Sequence, residues 1–182
     1  MPLVSLTPDG KRQRRRRLLI SGPTGSRKTS SLLTFPRPLY VINSPGEKGY
    51  DVLTEAPDLH VDIWEVDNPL KPESSQQTSN KVRERTVEIL SGKHGEVHTL
   101  AFEGLHKFFG YALNTITDGA YFHGEEFEPR MYGRATEYLL DFLALINHST
   151  IPIVVCTTWS GPEGDRPKKP GERTGDVPSH EY

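Results

Sequence analysis

The chain has a single cysteine, Cys156, among its 182 residues. A disulfide framework and a multi-cysteine zinc site are therefore excluded within it, and a reducing compartment is the natural setting. No apolar run approaches the roughly 20 residues needed to span a bilayer. The first residues also lack the apolar stretch of a secretory signal. The expectation is a soluble, cytoplasmic protein with no membrane partner. Apolar residues are scarce at 34 %, below the usual globular share. They suffice for one domain with its own core, wrapped in long polar loops. No internal repeat is visible. The seven histidines show no metal-ligand spacing, since His94, His98 and His106 fall on a loop, a strand and a helix. Trp64 and Trp159 read as packing residues.

Charge is distributed unevenly. Lys11, Arg12, Arg14, Arg15, Arg16 and Arg17 form a basic block, and the net charge of -2 then leaves the remainder acidic. Such a block suits contact with nucleic-acid phosphates, a nuclear localisation signal or a solvated arm. Residues 1–16 read as a basic N-terminal arm. Residues 17–159 form the folded domain, and 160–182 an irregular tail of Gly, Pro and charges.

Within the domain, strands alternate with helices. Leu18-Leu19-Ile20 centres a first strand over 17–21. Residues 28–34 begin a helix that Pro36 and Pro38 stop, and 39–42 form a second strand. Residues 61–66 are a further strand candidate. The segment 67–80, rich in Pro, Ser, Gln and Asn, reads as loop. Ser79 or Asn80 is then expected to cap a helix that runs to about Leu90 and ends at Gly92. A strand follows over 97–102, a helix over 105–116 and a loop over 118–129. Apolar residues at helical spacing mark 130–147 as the best helix. Residues 151–156 form an unbroken apolar strand, the pattern of a parallel strand buried on both faces. The alternation implies an α/β fold with a mostly parallel central sheet covered on both sides.

Between the first strand and the first helix stands Gly22-Pro23-Thr24-Gly25-Ser26-Arg27-Lys28-Thr29. A phosphate-binding loop needs backbone N–H groups turned inward, a lysine for the terminal phosphates and a hydroxyl for magnesium. Lys28 and Thr29 occupy those two places, and Gly25 supplies the turn. The segment therefore reads as a Walker A loop, although Arg27 stands where the consensus has glycine. The residues expected to hold a nucleotide are Gly22, Pro23, Thr24, Gly25, Ser26, Arg27, Lys28, Thr29 and Ser30. An acidic residue at the end of another strand should complete the magnesium site with Thr29, and Glu103 is the candidate. Thr157 or Thr158, at the tip of the last strand, would project beside the nucleotide as a polar sensor.

Four segments together resemble the phage-encoded AAA-type, RecA-like nucleotide-binding proteins, a group that includes the Sak-type single-strand annealing ATPases. They are Leu18 through Thr29, Phe35 through Ile42, Thr99 through Leu105 and Ile151 through Thr158. The resemblance spans about residues 17–160. It implies a three-layer RecA-like P-loop NTPase fold, bound ATP and Mg2+, and ATP hydrolysis coupled to DNA recombination or replication in the host cytoplasm. It also implies DNA, single-stranded DNA included, as a partner, while an exposed sheet edge at residues 17–21 would favour association with further copies of the chain. Glu47, after the second strand, lies where such proteins carry a catalytic acid that polarises water, a role open also to Glu103. In RecA-like sheets the strand carrying the sensor lies between the Walker A and Walker B strands, and a later strand covers the far side of the Walker A strand. No such strand follows Cys156, so residues 17–21 are expected at a sheet edge, in a fragment or a shortened member that lacks the last strand or strands. Arg27 for glycine and Glu103 for aspartate depart from the pattern.

Two rival readings use the same loop. A nucleotide or small-molecule kinase would need arginines closing over a second substrate, and Arg130 and Arg134 are the suggestive pair. A non-hydrolysing DNA-binding or assembly protein with a decayed nucleotide site is favoured by Arg27.

Overall fold

The computed structural model describes residues 15–160 apart from 48, 55, 57, 64–67 and 69. Lys11, Arg12 and Arg14 of the basic block, residues 161–182 of the tail and Trp64 lie outside the described residues. Five strands form one sheet: β1 (Arg16–Gly22), β2 (Leu39–Asn43), β3 (His60–Asp62), β4 (Thr99–Glu103) and β5 (Ile153–Trp159). Their order is β1-β5-β4-β2-β3, and every pairing is parallel. The helices are α1 (Lys28–Leu32), α2 (Tyr50–Thr54), α3 (Pro72–Leu90), α4 (Leu105–Ile116), α5 (Ala120–His123) and α6 (Arg130–Asn147).

Strand alternation divides the core in two, because successive side chains point to opposite faces. Tyr40, Ile42, Leu100, Phe102, Val154 and Cys156 pack with Val82 and Ile89 of α3, Phe108 of α4, and Phe142 and Ile146 of α6. On the other face Leu39, Val41, Ala101, Ile153 and Val155 pack with Leu32 of α1 and Leu53 of α2. β2 and β4 are buried at every position, as parallel strands between helical layers must be. The α/β class and the parallel sheet are as the sequence implied.

Residues 72–80 are helix, not loop. α3 begins at Pro72, seven residues before Ser79 and eight before Asn80, the expected caps, with proline at the start of the helix, where its missing N–H costs nothing. Ser75, Thr78 and Ser79 are buried. Asn114 of α4 donates to Ser75 Oγ at 2.9 Å, and Thr78 donates to the Ser74 carbonyl at 2.8 Å. The polar composition there combines an exposed face, with Glu73, Gln76, Gln77 and Asn80, and a buried face that meets α4 through Ser75. The loop expected over 118–129 contains the short helix α5, whose first turns are tied to α4 by the Phe122 N–H donating to Asn114 Oδ1 at 3.0 Å. The strand expected over 61–66 ends at Asp62, Ile63 is already outside it and 64–66 lie outside the described residues, and α1 stops two residues before Thr34.

Among the described residues β1 pairs only with β5, so it forms the sheet edge as expected. Its N-terminal end is clamped by Arg17, which donates to the carbonyls of Ser149 and Ile151, each at 3.1 Å, and to Ser149 Oγ. Arg17 ties β1 to the turn before β5, at the opposite end of the strands from the loop at residues 22–27. Burial lowers the affinity of its guanidinium for its proton, with Arg15 adding repulsion.

Candidate functional site

In a parallel sheet every strand ends on the same side, so the loops that follow β1, β2, β4 and β5 converge. Here they enclose a cleft of about 800 Å³. Its wall runs from Thr24 to Ser30, and continues through Gly46, Glu47 and Gly49, then Glu103, Gly104, His106 and Lys107, and finally Thr157, Thr158 and Trp159. Gly22 and Pro23 are not among the lining residues, and their carbonyls accept from Lys28.

The loop geometry explains its residues. Gly22 is buried, and a Cβ there would meet Ser26 Oγ at 2.7 Å. Gly25 has φ 80°, and Arg27 is left-handed as well, with φ 60° and ψ 26°. That conformation favours glycine and costs a side chain on the order of 1 kcal/mol or more. The Arg27 position is the N-cap of α1, and its side chain makes no cap hydrogen bond, which leaves the first-turn N–H groups without a side-chain partner. Free donors of that kind attract anions. Lys28 curls back over the loop. Its Nζ donates to the carbonyls of Gly22 at 2.8 Å and Pro23 at 2.9 Å, and reaches Ser26 Oγ at 3.3 Å.

Thr29 Oγ1 donates to Glu103 Oε1 at 2.7 Å. Glu103 is only 2 % exposed, and its other oxygen, Oε2, has no hydrogen-bond partner. Burial pushes the carboxyl up from its ordinary range, and Glu47 adds to this. The hydrogen bond from Thr29, the nearby hydroxyl of Thr157 and the charge of Lys28 oppose it. The Thr157 hydroxyl is engaged, because it accepts the Gly104 N–H at 3.0 Å. It braces the tip of β4 from a nearly inaccessible position, whereas Thr158 is half-buried on the cleft wall.

Glu47 lies across the cleft mouth from the loop. Gly104, at φ 80°, leaves the space the Glu47 side chain occupies, and a Cβ on it would collide with that side chain. His106 Nε2 lies 3.1 Å from Glu47 Oε1. Burial works to raise the Glu47 carboxyl, but His106, Lys107 and Lys28 outweigh it and hold the group below its ordinary range.

The structure thus brings together Lys28, Thr29, Ser30, Glu47, Glu103, Thr157 and Thr158. It does not bring Arg130 or Arg134 to the cleft. Arg130 pairs with Glu128 and Arg134 rests on Met131 Sδ at 3.9 Å, both exposed on α6. Among the described lining residues Arg27 is the one arginine. Sequence reasoning missed His106, Lys107 and the part Trp159 takes in the wall. A signal was present, since α4 starts directly at the tip of β4 and its first turn must face the cleft. Among the described residues no group of three or more His, Cys, Asp or Glu side chains could hold a metal. No protein-family model matches the chain, and no curated protein matches it.

Proposed function

We propose that this chain is a RecA-like P-loop NTPase domain that binds Mg·ATP in the cleft and hydrolyses it slowly. The observation that carries this reading is the convergence of Lys28, Thr29 and Glu103, with the Thr29 hydroxyl bonded to the buried Glu103 carboxylate at 2.7 Å. A carboxylate at 2 % exposure with one oxygen unpartnered is costly unless a cation completes it. Magnesium fits that donor set. It prefers hard oxygens, takes one or two carboxylates or hydroxyls from the protein, and fills its remaining places with phosphate and water. Thr29 and Glu103 would hold it, and when bound it neutralises charge on the phosphates. The sheet order supports the RecA-like assignment, because β5 lies between β1 and β4.

The chain's own residues divide the remaining work. Lys28 exchanges the Gly22 and Pro23 carbonyls for phosphate oxygens, a charge-assisted and stronger partner. The α1 N-terminus and the loop amides cradle the same group. Glu47, kept ionised by His106, Lys107 and Lys28, orients the attacking water. Positioning dominates phosphoryl transfer. Arg27, held left-handed where glycine is at ease, therefore slows turnover more than it weakens binding. The DNA recombination or replication task of phage type, in the host cytoplasm and with single-stranded DNA as partner, rests on the resemblance of the four segments.

The strained Arg27 also favours a second reading, a nucleotide-gated assembly protein without turnover. A steady-state ATPase assay of the wild type and of Arg27→Gly, with and without single-stranded DNA, separates the two. Slow wild-type hydrolysis, below the roughly 1 s⁻¹ of an ordinary enzyme, with a rise of tenfold or more in Arg27→Gly, is expected. Binding without turnover by both proteins would favour the second reading, and a wild type as fast as ordinary enzymes would refute the account of Arg27.

A further inference from the structure

Resting on the reading of Glu47 as the residue that orients water, we infer that His106 is its positioning residue, and that the backbone N–H of Trp159 sets the tautomer in which His106 does so. His106 sits one residue into α4, directly after the β4 tip, and its ring bridges two elements that come from opposite sides of the cleft. The Trp159 N–H donates to His106 Nδ1 at 3.2 Å. An Nδ1 that accepts carries no proton, so the ring proton resides on Nε2. Nε2 faces Glu47 Oε1 at 3.1 Å and therefore donates to it. Glu47 has a flexible side chain on an irregular segment, and among the described residues this donor is the one that gives its carboxylate a fixed direction. The neighbouring cations, Lys107 on α4 and Lys28 on the loop, act on Glu47 through charge, which holds it ionised without orienting it. Trp159 is the last residue of β5, whose register with β1 is fixed along its whole length. The direction of Glu47 is in this way referred to the sheet.

The two ring nitrogens can be replaced one at a time. His106→Gln places an amide N–H near the position of Nε2 and needs no tautomer control. His106→Asn places a polar atom near Nδ1 and cannot reach Glu47. In ATPase assays of the full chain, His106→Ala and His106→Asn should lose about tenfold or more in kcat with KM for ATP changed by less than about twofold. His106→Gln should recover kcat to within about threefold of wild type. Nitrogen NMR of the histidine rings in the ligand-free wild type should show His106 protonated on Nε2 and bare on Nδ1. Unchanged kcat in His106→Ala, a glutamine variant as impaired as alanine, or a neutral ring protonated on Nδ1 would each overturn the role of His106 while wild-type turnover leaves the ATPase reading standing. Absence of wild-type turnover would overturn both.

Discussion

Arg27 adopts φ 60° in a loop whose other left-handed residue is a glycine. The sequence marked it as the departure from the phosphate-loop pattern, and the backbone shows why the pattern has glycine there. Arg27→Gly should therefore stabilise the protein as well as speed turnover. Relief of the left-handed strain, about 1 kcal/mol, corresponds to a rise of roughly 2–4 °C in Tm for a domain of this size, readable by scanning calorimetry. An unchanged or lower Tm would mean that the arginine is accommodated without cost. Glu103 carries the opposite conflict between stability and function. Burial raises its carboxyl above the ordinary range, so in the folded protein the charged form is the costly one. Its contribution favours folding below the raised value and is lost as pH rises through it. Glu103→Gln, which keeps an acceptor for Thr29, should melt above the wild type near pH 7.5 without ligand, and the gap should close towards about pH 4. A gap that does not depend on pH would place the effect elsewhere. Lys28, Thr29 and Glu103 were legible because spacing and strand ends specify them. His106 was not, because a histidine's partners come from the sheet order and from Trp159, 53 residues away.

At the scale of elements, β1, β2, β4, β5 and the amphipathic helices α4 and α6 were read nearly to their ends because burial imposes a period on them, whereas α2, five residues long, was not read. α3 was half missed. Its buried face uses Ser75, Thr78 and Ser79, with Ser75 bonded to Asn114, so its first half lacks the apolar period that marks a packed helix. α5 is four residues long, too short for any period to be read. β1 was expected at an edge, and among the described residues it is one, with Leu18 and Leu19 exposed at 41 % and 63 %. An edge strand with apolar side chains invites pairing with another chain. The wild type should self-associate in sedimentation experiments over a concentration series. Leu19→Lys should weaken that association at least about tenfold, or ~1.4 kcal/mol, with the fold intact by circular dichroism. Equal association of both proteins would show that β1 is not the contact.

For the whole molecule, the α/β class and the parallel sheet followed from alternating strands and helices, and the site followed from where those strands end. A parallel sheet delivers the β1 loop, the β4 tip and the β5 tip to one cleft, so residues 22–30, 103 and 157 meet although they are far apart in the chain. Glu47 reaches the same cleft by way of β2. Everything proposed for this cleft depends on its taking a triphosphate through Lys28. A ligand that binds the folded state alone also stabilises it, by about 2.7 kcal/mol at a hundred times its Kd, so Mg·ATP should raise the melting temperature and go on raising it with the logarithm of its concentration past saturation. The most direct test is calorimetric titration of Mg·ATP into the wild type and into Lys28→Ala. The account predicts saturable binding by the wild type and an affinity at least about tenfold lower, or ~1.4 kcal/mol, in the variant. Equal affinity in the two proteins, or no binding by a folded wild type, would contradict it.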